Sequence, residues 1–216
     1  MAQSPGLDWE VRLGFPQVVI VGVDEVGRGC LAGPVVAGAL ALPKKVDFDE
    51  FPWLAEVKDS KGLSPQARER LAPLLESWAL AWGVGVASVE EIDQINIYHA
   101  SHLAMVRAIE NARVKMKPTQ LKRQHLLVDG KFLPKNLPCA ASAVVKGDLQ
   151  CLSIAAASIL AKVWRDQHMV ELNEKYPGYG FAVHKGYGTP AHSKALKAQG
   201  VCQIHRRSFA PVAALL

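Results

Sequence analysis

The sequence predicts an α/β fold in which helices pack on a mixed β-sheet. Short apolar runs rich in β-branched residues alternate with longer stretches of helical periodicity. The first two runs, residues 18–23 and 35–42, are separated by little more than a glycine-rich turn, which favours an antiparallel pair. Helical patterns separate the later runs, so we expect parallel crossover connections there.

The strands are predicted from the apolar runs, over residues 18–23, 35–42, 79–87, 125–128 and 140–145. The first run consists of Val and Ile with one Gly, which is typical of a strand buried on both faces. The third is apolar and contains Gly83 and Gly85. The fourth and fifth are shorter, and a carboxylate follows each of them closely.

The helices are predicted from capping residues and periodicity, over residues 65–77, 97–114, 153–172 and 191–199. Ser64 is the N-cap of the first, with a proline directly after it, and Pro73 predicts a bend. Ser88 and Glu91 fit a capping box ahead of the second. Residues 154–161 are apolar on nearly all sides, so the third helix should be buried.

Composition limits the class of protein. The 216 residues, 50% of them hydrophobic, suffice for one domain or for one domain with an appendage. A formal net charge of +5 permits nucleic acid as a partner without demonstrating it. The 4 cysteines form no C-x-x-C pair, which predicts reduced thiols. No apolar run approaches a membrane span, and residues 1–14 lack the apolar segment of a secretory signal, so we expect a cytoplasmic protein.

Carboxylates follow three of the predicted strands. Asp24 and Glu25 directly end the most apolar run, Asp129 follows the fourth strand, and Asp148 comes shortly after the fifth. Sites in open α/β sheets form at strand ends, so four carboxylates would converge if these ends are neighbours. Such a cluster is strongly repulsive unless a cation shares the space. Taken singly, Asp129 and Asp148 also fit plain turns, and only the joint pattern favours a site.

Grouped carboxylate oxygens favour Mg²⁺ or Mn²⁺ over zinc. Two such ions about 4 Å apart stabilise the attacking and the leaving oxygen of an in-line displacement. The sequence therefore predicts two-metal hydrolysis of a phosphodiester by an activated water, with no His or Ser nucleophile.

Short motifs accompany these carboxylates along the chain from about residue 17 to residue 212. They are VDEVGRG at 23–29, LAGPVV at 31–36, DSK at 59–61, VDG at 128–130, KGD at 146–148, AASILAKV at 156–163 with RD at 165–166, HKGYGT at 184–189 and HRRSF at 205–209. In these motifs and their order, the chain resembles the bacterial ribonuclease HII family, the type 2 ribonucleases H.

The resemblance implies an endonuclease that cuts the RNA strand of RNA–DNA hybrids and cuts 5′ of single ribonucleotides embedded in duplex DNA. The products would carry a 5′-phosphate and a 3′-hydroxyl. It also implies a ribonuclease H-like fold, with a five-stranded mixed sheet flanked by helices and a helical C-terminal extension. The core of this single domain would span about residues 17–172 and the extension about 173–216.

The resemblance assigns the metal-binding and catalytic role to four carboxylates, Asp24, Glu25, Asp129 and Asp148. They would hold Mn²⁺ or Mg²⁺, with two ions when substrate is bound. The family also suggests a monomer, and no membrane association is expected.

Substrate contacts are predicted around the motifs. Gly27, Arg28 and Gly29 can bring backbone close to a ribose 2′-hydroxyl, with Arg28 reaching a phosphate, although they also fit a plain tight turn. Tyr187 lies between glycines and can stack on a sugar or base, and in the family the matching tyrosine helps to read the ribonucleotide–DNA junction. The remaining candidates are polar and basic side chains, at Lys61, Lys146, Ser158, Lys162, Lys185, Arg206 and Arg207.

Three residues depart from the family pattern without touching a predicted metal ligand. Cys30 stands where Pro is common, Gly62 where a second Lys is frequent, and Lys131 where Asn is common. Gly62 removes a positive charge near the predicted nucleic-acid track, which would weaken binding slightly.

Several polar residues are interpreted as structural. Asp166 is a fifth acidic candidate, but an ion pair or helix contact with Arg165 is the preferred interpretation. His184, His192 and His205 are too widely spaced to favour a zinc site, and we expect them on the surface or in hydrogen bonds.

Two other functions fit parts of the pattern. A catalytically silent hybrid-binding module would lack a carboxylate, and all four are present. Another two-metal nuclease, such as an integrase or a Holliday-junction resolvase, would lack the glycine-arginine-glycine and tyrosine elements. Cleavage of a duplex with one embedded ribonucleotide separates all three.

Overall fold

A computed structural model describes residues 5–216 and contains a five-stranded mixed sheet with the strand order β3-β2-β1-β4-β5. The strands are β1 Val19–Val26, β2 Val35–Ala41, β3 Ala81–Ala87, β4 Gln124–Asp129 and β5 Ala141–Val144. The α/β class and the five-stranded mixed sheet are therefore confirmed.

Strand directions agree with the connection lengths in the sequence. β1 pairs antiparallel with β2, with Val23 opposite Ala39, as the short glycine-rich turn predicts. β1 pairs in parallel with β4, with Val23 opposite Val128, and β4 pairs in parallel with β5. Because β1 and β4 run the same way, their carboxyl ends lie side by side at one edge of the sheet.

The helices lie on both faces of the sheet and in the C-terminal part. The α-helices are α1 Asp8–Arg12, α2 Pro65–Trp78, α3 Val89–Arg113, α4 Pro118–Leu121, α5 Leu152–Lys175, α6 Phe181–His184, α7 Pro190–Gln199 and α8 Ala210–Ala213. Short 3-10 helices occur at Pro52–Glu56, Ser60–Gly62 and Gly147–Leu149. The helical C-terminal part that the resemblance implies is thus confirmed.

The central strand contributes to two cores, because successive side chains of a strand point to opposite faces. Ile20 packs in a core formed with α5 and α2, and Val21 packs in a core formed with α3. The first half of α5 is buried on all sides, as its apolar sequence predicts.

Two predicted N-caps are present in the structure. The Ser64 hydroxyl accepts a hydrogen bond from the Ala67 amide, and the Ser88–Glu91 capping box has both of its bonds. Pro73 lies inside α2, which continues past it to Trp78.

Two boundaries differ from the prediction. β1 continues to Val26, so Asp24 and Glu25 lie within the strand, because Glu25 still pairs with Ala37 of β2. α3 begins at Val89 rather than at 97, and it is interrupted at Asn96, whose φ is 65° and ψ 164°. The Asn96 side chain restarts the helix by accepting hydrogen bonds from the next free amides.

Within residues 5–216, no helix combines the length and the apolar character that crossing a membrane requires.

Close approach of α5 to β1 depends on Gly22. A Cβ at this position would lie 2.1 Å from the Ser153 carbonyl carbon. We expect Gly22→Ala to lower the free energy of unfolding by about 1–3 kcal/mol, since backbone has to move to make room. Urea denaturation measures the change.

Gly62→Ala is the matched control, because nothing lies within 4 Å of a Cβ at Gly62. Its stability should stay within about 0.5 kcal/mol of the unaltered protein. Equal urea midpoints for the two variants would contradict the packing argument.

Candidate active site

The predicted carboxylates gather at the carboxyl edge of β1 and β4. Asp24 and Glu25 are the residues after Val23 in β1, and Asp129 is the residue after Val128 in β4. Since Val23 and Val128 are register partners, Asp24 and Asp129 come next to each other across the parallel pair. Asp148 lies in the 3-10 helix that follows β5.

Main-chain amides orient two of these carboxylates. Asp129 Oδ1 accepts a hydrogen bond from the Gly147 amide at 2.6 Å, which ties β4 to the turn that contains Asp148. Asp24 Oδ1 accepts from the Glu25 amide at 2.8 Å. Glu25 Oε1 also accepts from the Arg28 guanidinium at 3.2 Å.

Burial and mutual repulsion raise the pKa values of three of these carboxyl groups. Burial, followed by the charges of Glu25, Asp129 and Asp148, raises the pKa of Asp24 well above its ordinary value. Burial also raises the pKa of Glu25, and Arg28 opposes that change. Burial, then Asp129 and Asp59, raises the pKa of Asp148. The carboxylates therefore interact with one another, and their negative charge is only partly compensated by the protein.

The donor set fits a hard divalent cation. The groups are carboxylate oxygens, and Asp24 is only 7% exposed. The charges that raise the pKa of Asp24 are all anionic, and Arg28 offsets part of the charge of Glu25. Over residues 5–216, no three His, Cys, Asp or Glu side chains form a ready metal cage. The metal-binding assignments thus stand as predictions, supported by electrostatic coupling and not by a preformed coordination shell.

A segment between β2 and α2 completes the surroundings of the carboxylates, and sequence reasoning assigned only its lysine to the site. Asp59 accepts a hydrogen bond from the Lys61 amide at 3.0 Å, and its negative charge helps to raise the pKa of Asp148. The positive charge of Lys61 opposes the rise in pKa that burial causes at both Glu25 and Asp148. Asp59 was within reach of prediction, since it precedes the Ser-Lys of the DSK motif.

Ser158 lies behind Asp24 rather than at the surface. Its side chain is buried, its hydroxyl is 2.8 Å from the Ser60 hydroxyl, and it opposes the rise that burial causes in the pKa of Asp24. The Ser60–Ser158 pair anchors the DSK segment on α5. A direct contact of Ser158 with substrate stays a prediction.

The glycine-arginine-glycine turn rests on a buried arginine that was expected to contact phosphate. Arg206 is fully buried, and its guanidinium donates to the carbonyls of Gly27 at 2.7 Å and Arg28 at 2.8 Å. That expectation is wrong, because its terminal nitrogens donate to the turn and its Nε donates to the Gly33 carbonyl at 2.9 Å. Arg28 itself points outward, with its side chain half exposed.

Tyr187 stands beside this turn. Its main chain forms a bridge with Cys30, directly after Gly29. Its ring is 36% exposed and lies over the Lys162 ammonium and the Arg165 guanidinium, at 5.5 and 5.9 Å from the ring centroid. The turn and the tyrosine, far apart in sequence, therefore form one surface.

Asp166 has partners other than the expected one. It accepts a hydrogen bond from Lys162 at 2.6 Å and pairs with Arg68 at 3.6 Å. The structural ion pair expected of Asp166 is therefore present, although Arg165 is not its partner, because Arg165 donates to the carbonyls of Ala32, Pro34 and Lys185. Neighbours on a helix point about 100° apart, which separates these two side chains.

The other basic candidates differ in availability. Lys61, Lys146 and Arg207 are exposed, whereas the Lys185 ammonium folds back onto the Ala182 carbonyl. Lys146 adopts the left-handed backbone conformation, with φ 55°.

The three histidines of the C-terminal part contact one another in the interior, and none lies on the surface. The expectation of hydrogen-bonding roles is confirmed and that of surface positions is wrong. The folding of α6 and α7 onto each other explains the difference.

Comparison with known proteins identifies relatives over nearly the whole chain. A family model described as Ribonuclease HII matches residues 21–212. A ribonuclease HII from Nitrosococcus oceani is 54% identical over 193 residues, which cover 89% of each chain. The crystal structure of ribonuclease H2 from Pyrococcus horikoshii OT3 superposes with a TM-score of 0.74 at 28% identity, covering 91% of this chain and 96% of that one.

A more distant structure shares the fold. Bst-RNase HIII in complex with Mn²⁺ has a TM-score of 0.68 at 21% identity, covering 93% of this chain and 70% of that one.

Repulsion at Asp24 should lower stability when no metal is added. We expect Asp24→Asn to raise the melting temperature of metal-free protein by about 2–4 °C, since it removes about 1 kcal/mol of unfavourable charge. The raised pKa of Asp24 means that the folded state binds more protons than the unfolded state in the window above the ordinary value of 3.8. The stabilising effect should therefore shrink as pH falls through this window towards 3.8.

Differential scanning fluorimetry with and without Mn²⁺ measures both effects. Added Mn²⁺ should raise the melting temperature of the unaltered protein more than that of Asp24→Asn. Equal shifts for both proteins would mean that Asp24 does not help to hold the ion.

Proposed function

Because the chain belongs to the ribonuclease HII family, whose members are endonucleases for the RNA strand of RNA–DNA hybrids, we propose that Asp24, Glu25, Asp129 and Asp148 carry the hydrolysis here. We further propose that the enzyme cuts 5′ of single ribonucleotides embedded in duplex DNA. The observation that carries the proposal is the convergence of these carboxylates at the carboxyl ends of β1 and β4 and in the turn after β5, next to a turn suited to reading ribose.

The proposed cofactors are Mn²⁺ or Mg²⁺, two ions with substrate bound. Held by the four carboxylates, they would supply Lewis acidity at the scissile phosphate, for hydrolysis to a 5′-phosphate and a 3′-hydroxyl. Asp24 and Asp129 present their oxygens from adjacent strands, and the Gly147 amide keeps Asp129 in place. Arg28 offsets part of the charge of Glu25 and orients its Oε1.

The protein's own contribution to specificity lies in the turn at residues 27–29 and in Tyr187. A ribose 2′-hydroxyl both donates and accepts hydrogen bonds, so main-chain groups can distinguish it from deoxyribose. Gly27 has a φ of +91°, and a Cβ there would meet the Arg165 guanidinium at 2.2 Å. Glycine at this position therefore allows the turn to pack directly on the Arg165 guanidinium.

Basic side chains around the carboxylates favour a polyanionic partner. Arg28 and Lys61 lie near the acidic groups, and exposed Lys146 precedes Asp148 by two residues; these positive charges attract the phosphate backbone. Binding of RNA–DNA hybrid and of ribonucleotide-containing duplex should therefore weaken as salt increases. A monomeric state and a cytoplasmic location remain part of the proposal.

The first test is cleavage of a labelled DNA duplex with one ribonucleotide, in Mg²⁺ or Mn²⁺. We expect a single cut on the 5′ side of the ribonucleotide and no cut in an all-DNA duplex. Asp24→Asn and Asp129→Asn should each lose at least about 100-fold in rate, because each removes a charged oxygen ligand.

Asp49→Asn is the matched control, since Asp49 lies in an exposed loop before Pro52–Glu56, and its rate should be unchanged. Equal cutting of both duplexes would favour another two-metal nuclease. Binding without cutting in either metal would favour a silent binding module.

The second test concerns Tyr187. We expect Tyr187→Ala to lower the preference for the ribonucleotide–DNA junction over a continuous hybrid about tenfold, since stacking on a base or sugar is worth about 1–3 kcal/mol. Cleavage of both substrates in parallel gives the preference. Tyr187→Phe keeps the ring and should retain most of it, and an unchanged preference in Tyr187→Ala would remove Tyr187 from the site.

A further inference from the structure

A continuous chain of imidazole rings lies beneath the tyrosine loop. The rings of His184 and His192 are stacked with centroids 4.3 Å apart, and His192 Nε2 lies 3.1 Å from His205 Nε2. His205 Nδ1 lies 3.0 Å from the Cys202 amide nitrogen. We call His184, His192, His205 and Cys202 the histidine chain.

The fixed partners of this chain determine where each proton lies. His192 Nδ1 is 2.9 Å from the Tyr187 carbonyl, which only accepts, so Nδ1 carries the proton and Nε2 is an acceptor. His205 Nε2 must then be the donor between the two rings. Its Nδ1 is left as the acceptor that the Cys202 amide requires.

The hydrogen-bond partners of His184 likewise determine which of its ring nitrogens carries the proton. Its Nε2 is 2.8 Å from the Tyr179 carbonyl and must donate, while its Nδ1 accepts from the Gly186 amide at 3.2 Å. Every ring is thus neutral, with one tautomer assigned to each. An added proton on any ring would place a donor against a donor.

The surroundings of the chain also favour neutral rings. His192 and His205 are almost fully buried and pack on Phe181, and Tyr179 contacts His205. Burial, then the charge of His192, lowers the pKa of His205 to about 4, and burial lowers that of His192. The chain is therefore a permanent hydrogen-bonding structure at neutral pH.

The chain ends on the main chain around Tyr187. The His184 carbonyl accepts from the Tyr187 amide at 2.9 Å, the His184 ring holds the Gly186 amide, and the His192 ring holds the Tyr187 carbonyl. Histidines thus hold the main chain on both sides of the tyrosine. Gly186 packs closely on the segment after the turn, because a Cβ there would lie 2.4 Å from the Ala32 carbonyl oxygen.

We propose that His192 is a positioning residue for Tyr187. His205 orients the His192 ring, whose Nδ1 proton holds the Tyr187 carbonyl. The His192 ring thereby fixes the position of the Tyr187 ring against the substrate and so determines preference for the ribonucleotide–DNA junction. The proposal rests on the proposed function, since it needs Tyr187 in contact with substrate. His192 itself touches no substrate.

Two isosteric substitutions separate positioning from packing. The amide nitrogen of asparagine reaches the place of Nδ1, and the amide oxygen of glutamine reaches the place of Nε2, where it can accept from His205 Nε2. His192→Asn therefore keeps the donor to Tyr187 and loses the contact with His205, whereas His192→Gln does the reverse. We expect His192→Gln to lower the junction preference about tenfold and His192→Asn to stay within about threefold of the unaltered enzyme.

Cleavage of junction and continuous hybrid substrates, with kcat and KM separated, gives the preference for each variant, and Tyr187→Ala is run beside them. Equal preferences for His192→Asn and His192→Gln, with a reduced one for Tyr187→Ala, overturn the positioning role alone. An unchanged Tyr187→Ala overturns the proposed role of Tyr187 and this inference with it.

The tautomers can also be measured in the unaltered protein, without any variant and without an activity assay. Long-range ¹H–¹⁵N correlation spectra of the unaltered protein should give His192 as the Nδ1–H tautomer and His184 and His205 as Nε2–H tautomers. A His192 ring protonated at Nε2 cannot donate to Tyr187 and would overturn the proposal, whatever the variants do.

Discussion

Two buried guanidinium groups hold together the loops around the candidate site. Arg165 and Arg206 are fully buried, and a buried charge is costly unless its donors are satisfied. Both meet this requirement with main-chain carbonyls, at Gly27, Arg28, Ala32, Gly33, Pro34 and Lys185. The glycine-rich turn, the segment after it and the loop before Tyr187 therefore share one support.

The candidate site combines unfavourable and favourable interactions in separate places. Asp24 is repelled by neighbouring carboxylates in a buried position. The compensating stability comes from the opposite direction along β1, where Ile20 and Val21 pack into the two cores and α5 lies directly on Gly22. A stable sheet can thus tolerate charge repulsion at the carboxyl ends of its strands, and such local instability is common at functional sites. The same rigidity keeps the carboxylates of β1 and β4 in register.

Local features were predicted well because they depend on residues that are near in sequence. The Ser88–Glu91 capping box, the Ser64 cap and the antiparallel β1–β2 pair all follow from a few adjacent residues. The extent of β1 did not, because pairing of Glu25 with β2 continues the strand beyond the apolar run. The start of α3 was missed because Asn96 interrupts a helix that begins earlier.

The order of residues alone determined the α/β class, the placement of carboxylates after apolar strands and the family motifs, since periodicity and spacing are properties of the linear chain. Tertiary structure decided which charges are free. Arg206 became a buried support, and Asp166 paired with Lys162 and Arg68. The ring of His184 stacks on that of His192, which hydrogen-bonds with His205. The physical reason is that a polar side chain pairs with the groups nearest to it in space, and the number of residues between two groups in the sequence does not give that distance.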